Sequence, residues 1–217
     1  MGFWTTIIVR GGQAAAVAVV TGLLVQPAAA QTPQPTPPAR QKKLPEAPAK
    51  SPRSAAAKIR NLDFLFGALK AAPDEESAKA VENRIWAIWM ATPSDTAALL
   101  MTRVKIAMDR KETDVALKLL DAVIKLRPDY VEAWNRRATI YYLQNDYDRA
   151  MDDIRQVLIR EPRHFGALAG LGMIMQETGD DRHALEAFRK ALAINPHLAR
   201  VPDLVKSLSE KVEGRDI

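Results

Sequence analysis

The 217-residue sequence contains no cysteine. It therefore has no disulfide framework, no thiolate nucleophile and no cysteine-based zinc or iron–sulfur site. Histidine is almost as scarce, with His164, His183 and His197 alone. None has a histidine partner four residues away and no H-E-x-x-H occurs, so no metal site is expected and the three read as exposed turn residues. Neither sign of charge dominates most of the chain. The net charge is +5, but residues 31–60 carry seven basic residues against Glu46, and Arg10 adds one more. Residues 61–217 are left mildly acidic. That disfavours a nucleic-acid surface on the folded part, because phosphate binding needs a basic face. Gly166, Gly170 and Gly172 follow no strand, so they form no phosphate loop.

The first 60 residues lack a helical core pattern. Residues 14–25 (AAAVAVVTGLLV) are mostly apolar, follow Arg10 and precede Ala28-Ala29-Ala30. A charge, a short apolar core and a small-residue site make residues 1–30 an expected secretory signal with cleavage before Gln31. The core is shorter than the about 20 residues of a membrane span. Phe3, Trp4, Ile7, Ile8 and Val9 extend the apolar stretch before Arg10, which leaves two other readings: a later start near Val9, or an uncleaved anchor. Residues 31–60 are rich in proline and basic residues and are expected to be a solvated linker. Its roles are a spacer or a basic arm that touches anionic envelope surfaces.

What is present beyond residue 60 is a period. Arg127-Pro128, Glu161-Pro162 and Asn195-Pro196 lie 34 residues apart, and Thr92-Pro93 lies 35 residues before the first. Aligned on it, residues 97–130, 131–164 and 165–198 share small residues at the eighth position (Ala138, Gly172) and the twentieth (Ala116, Ala150, Ala184). Small side chains there let paired helices approach closely, and Gly179 and Asn145-Asp146 mark the turn within a unit. Proline at the thirty-second position ends each unit, because the residue before it avoids the α region. Residues 61–96 read as a degenerate or capping helical pair, with a short first helix over 62–72 and Ala78, Val81, Ile85, Ile88 and Trp89 on one face of the second. Residues 199–217 read as a capping helix. Asp74-Glu75-Glu76 and Asp180-Asp181 sit where carboxylates cap helices.

Trp134, Ala138, Tyr141, Ala150 and Pro162, with Leu168, Leu171, Gly172, Gly179, Ala184, Phe188, Ala191 and Pro196, resemble the tetratricopeptide repeat pattern. Arg137, Ile154 and Val104 depart from it. The resemblance, to an exported bacterial-type member of the family, implies an all-α, right-handed solenoid of antiparallel helix pairs with a C-terminal capping helix. It also implies a groove lined by the first helix of each unit. By that resemblance the lining comprises Met101, Lys105 and Met108, then Glu132, Asn135, Arg136, Thr139 and Tyr142, then Ala169, Met173, Gln176 and Glu177. For the methionines, groove contact and helix packing are left open. Arg136 matches one position of a carboxylate clamp found in some relatives, but Glu132 and Thr102 do not match the rest.

No catalytic constellation accompanies these repeats, so neither an enzyme nor a cofactor is expected. The expected role is an exported adaptor that holds a protein or peptide in the groove, periplasmic if the source is Gram-negative. The alternative is a structural envelope component tethered through the basic linker or an uncleaved anchor.

Overall fold

The computed structural model describes residues 52–92 and 94–214, with side chains from residue 57 onward. The expected signal and most of the expected linker lie outside the described residues. Among the described residues there are nine helices and no strand: α1 (Pro52–Lys70), α2 (Glu75–Met90), α3 (Asp95–Asp109), α4 (Thr113–Leu126), α5 (Val131–Leu143), α6 (Tyr147–Arg160), α7 (Phe165–Glu177), α8 (Asp181–Ile194) and α9 (Val201–Val212).

Three antiparallel pairs, α3–α4, α5–α6 and α7–α8, follow the 34-residue period, the first beginning at Asp95, two residues before its sequence unit. Their internal turns are copies of one another. Lys111, Asn145 and Gly179, 34 residues apart, each take a positive φ, of 60°, 58° and 85°. The next N–H reaches back to the helix in every case, Glu112 to Ala107 O at 2.8 Å, Asp146 to Tyr141 O at 2.9 Å and Asp180 to Met175 O at 2.8 Å. This left-handed residue followed by a six-to-one bond satisfies carbonyls that would otherwise be orphaned at a helix end. Asp146 and Asp180 then cap the second helices through Arg149 N and His183 N, and Asp74 caps α2 through Ser77 N at 2.7 Å. The turns between units repeat as well: Arg127, Glu161 and Asn195 leave the α region just before proline, with φ of −139°, −139° and −124° and ψ of 76°, 89° and 95°.

The small residues sit where close approach demands them. Ala116, Ala150 and Ala184 are fully buried. A Cβ on Gly172 would come within 2.6 Å of the Phe188 ring. Arg137, a departure from the family pattern, is compensated by charge. Its guanidinium grips Asp153 at 2.7 Å through two nitrogens, reaches Asp121 at 2.5 Å and lies 5.1 Å from the centre of the Trp134 ring. It thereby ties α4, α5 and α6 together. The last repeat is sealed by α9, whose Val201 and Leu208 are buried with Ala184, Leu185 and Phe188.

The N-terminal hairpin differs from expectation in two ways. First, α1 begins at Pro52, inside the expected linker, and is 19 residues long rather than short. Proline is compatible with a helix's first turn and Ala55, Ala56 and Ala57 favour continuation, so the helix extends upstream of the apolar stripe. Second, the hairpin's apolar face is not buried on the first repeat. Leu62, Leu65, Phe66, Leu69, Ile85 and Trp89 share a core with Phe165 at the start of α7, and with Ile194 and Leu198 beyond it.

Candidate functional site

The hairpin docks on a row set by the repeat period. The last residue of each unit is bulky: Tyr130, His164 and Leu198. The Tyr130 hydroxyl donates to Met90 O at 2.8 Å. The His164 ring stacks on Trp89, with centroids 4.1 Å apart and planes 14° apart. Leu198 packs into the hairpin core. Asn195 donates to Glu82 at 3.2 Å and Arg163 to Asp63 at 2.6 Å. Helix α2 thus runs along the N-terminal ends of the first helices, from the last repeat toward the first.

This corrects the reading of His164 as an exposed turn residue. It is fully buried, it accepts the Ala167 N–H at Nδ1 (3.0 Å) as the N-cap of α7, and its Nε2 faces Glu132 at 3.4 Å. Nδ1 must be unprotonated to accept, so the proton sits on Nε2 and points to the carboxylate. His183, by contrast, is exposed and pairs with Asp180.

Glu132 is likewise not in the groove. It is 3 % exposed, accepts from Asn135 Nδ2 at 3.2 Å and lies 3.6 Å from Arg136 Nε. The sequence placed it on the lining through its second position in the unit. The hairpin covers that position, and the buried carboxylate is held by hydrogen bonds instead. Gly166, at the same position of the last repeat, has the Trp86 ring 3.0 Å from where its Cβ would stand. This is the close approach its glycine permits, and Gly170 meets no such constraint. Met108 turns into the first core cluster, and Met101, 8 % exposed, contributes to that cluster while edging a cavity.

The remaining predicted residues come together along the first helices in three cavities. One of about 370 Å³ is bounded by Lys105, Arg136, Met101, Tyr130 and the hairpin end at Met90–Thr92. A smaller one of about 160 Å³ lies between α5 and α7, lined by Asn135, Thr139, Tyr142, Met173 and neighbours. A third of about 470 Å³ opens between α7 and α9 and is lined by Tyr142, Ala169, Met173, Gln176 and Glu177 with Arg200, Asp203 and Leu204. Tyr142, Ala169 and Met173 belong to both of the last two, so the surface is continuous there. The period could not announce Met90–Thr92 or residues 200–204, because they belong to elements outside it.

Electrostatics along this surface are distinct. Burial, with Glu132 next, pushes the Tyr130 hydroxyl up to about 12. Burial, then Glu177, also raises Tyr142 above the ordinary phenol range. Arg136 points Nη2 at Met90 Sδ, 3.1 Å away, and its Nε is buried without a hydrogen-bond partner among the described residues. Among the described residues no group of three or more metal-ligating side chains converges, and no helix is long and apolar enough to cross a membrane.

A paired-helix stack with repeated turns and a groove of first-helix residues defines a helical-repeat protein. The chain belongs to the tetratricopeptide repeat family. The model of the tetratricopeptide repeat protein 21 ARM repeat matches residues 25–152, and a tetratricopeptide repeat model matches 144–199. A TPR repeat-containing protein of Rhizobium etli is 40 % identical over 153 residues, covering 70 % of this chain and 75 % of that one. Among solved structures, the Sgt2 TPR domain of Aspergillus fumigatus is similar at TM-score 0.52 and 22 % identity, over 57 % of this chain and 83 % of that one. The first TPR of Spaghetti (RPAP3), bound to an HSP90 peptide, is similar at TM-score 0.53 and 14 % identity, over 56 % and 97 %.

Proposed function

We propose that this chain is a non-enzymatic adaptor that holds an extended segment of a partner protein in the groove of its first helices. The observation that carries the reading is the row of cavities along the first helices, from Lys105 and Arg136 to Glu177, which sets apolar area beside a few polar side chains. Apolar walls with a few convergent polar groups are the usual make-up of a ligand cleft. A solved structure of similar fold holds a peptide, which supports the same class of ligand here. Burial removes Glu132 from contact, so the carboxylate-clamp arrangement of some relatives does not carry over.

Photo-crosslinking in the source cell tests the reading. A photoreactive residue replacing Thr139, exposed in the groove, is expected to give protein adducts that one replacing Lys118, exposed on α4, does not. Equal adducts at both positions, or adducts at Lys118 alone, would move the interface off the groove.

Export is part of the proposal. It is supported by the short apolar run and Ala28-Ala29-Ala30. N-terminal sequencing of the exported protein is expected to begin at Gln31, and a retained residue 1 would favour the anchor.

A further inference from the structure

The groove changes sign along its length. At the hairpin end, Lys105 and Arg136 are the charged residues lining the cavity, with Asp109 2.9 Å from the Lys105 amine and Glu132 3.6 Å from Arg136 Nε. The middle cavity has no charged lining residue. At the far end the lining charges are Glu177, Asp203 and Arg200, for a net of about −1. Among the described residues Glu177 forms no ion pair. Asp203 lies in the first turn of α9, at the positive end of the helix dipole.

The acidic end is also shaped. Its walls are apolar, from Met173, Phe188, Val201 and Leu204, with the Tyr142 ring beside them. A lysine or arginine combines an apolar stem with a charged head, so such a pocket can bury the stem while the rim carboxylates meet the head. An aromatic ring face adds attraction for a cation.

Resting on the groove reading, we propose that the α7–α9 pocket takes a lysine or arginine side chain of the bound segment, and that this fixes the segment's direction. An acidic group of the same segment then lies at Lys105 and Arg136. Neighbouring helix axes lie about 8–10 Å apart, so the two ends, two helices apart, are separated by roughly 16–20 Å. An extended chain spans that distance in about five or six residues. Charge complementarity of this kind selects register and orientation more than it adds affinity.

A phage-displayed library of random twelve-residue peptides tests this on the full chain. The targets are wild type, the Glu177→Gln/Asp203→Asn double variant and the groove variant Met173→Glu, each checked for helicity by circular dichroism. Clones retained by wild type and lost on Met173→Glu define groove ligands. Those clones are expected to be enriched in lysine or arginine, with an acidic residue about five or six positions away. Replacing the basic residue of a selected peptide by glutamine is expected to weaken binding to wild type about tenfold or more, and to change binding to the double variant little. Groove-dependent clones with no basic preference, or an equal loss on both proteins, would overturn this inference and leave the groove reading standing. The absence of any groove-dependent clone would overturn both.

Discussion

Single residues in this chain act through their place in the 34-residue frame. Gly172 is one case. The Phe188 ring fills the space of a side chain, so Gly172→Ala is expected to lower stability by about 1–3 kcal/mol in urea denaturation. Lys111 is the opposite case. It holds the left-handed turn that Gly179 holds without strain, and left-handed geometry costs an ordinary residue about 1–2 kcal/mol. After the entropy lost by an added glycine is counted, Lys111→Gly is expected to stabilise by about 0.5–1 kcal/mol in the same assay. Gly179 and Asn145 were legible as turn residues because their type suits the geometry. Lys111 was not, because a lysine gives no local sign of it and only the period locates it. Tyr130 gives a pH test. Its hydroxyl titrates near 12 in the folded protein, above its ordinary value near 10. The folded state therefore holds this proton more tightly, and its contribution is complete below about pH 10 and is lost as pH rises toward 12. Wild type is expected to lose more stability than Tyr130→Phe across that window, followed by denaturation at each pH.

At the scale of elements, the hairpin separates what periodicity reveals from what it hides. The second helix was legible from Ala78, Ile85 and Trp89, all of which are buried. Its docking site was not, since an apolar stripe states that a helix is covered and not by what. A retrospective signal exists in Tyr130, His164 and Leu198, bulky residues at the end of each unit whose row the hairpin covers. Trp89 lies against His164, Phe165 and Trp86 and is 2 % exposed. Trp89→Ala is expected to cost about 3–5 kcal/mol. The loss should appear in near-ultraviolet circular dichroism as well as in the denaturation midpoint, because the ring cluster is dismantled.

For the whole molecule, three repeats set most of the residues read as lining beside cavities. Lys105, Asn135, Arg136, Thr139, Tyr142, Met173, Gln176 and Glu177 all line cavities along the first helices. Glu132 and Met108 do not, one because the hairpin buries it and the other because the core takes it. The hairpin end and the start of α9 close the surface at its two extremes, and neither follows the repeat rule. The adaptor reading depends on this surface being where a partner lies. Amide chemical-shift mapping of the full chain with a groove-dependent peptide measures that directly. The account predicts that the largest shifts fall on Lys105, Thr139, Met173 and Glu177, with α4, α6 and the outer face of α8 unmoved. Shifts concentrated on those outer helices, with the first helices silent, would contradict it.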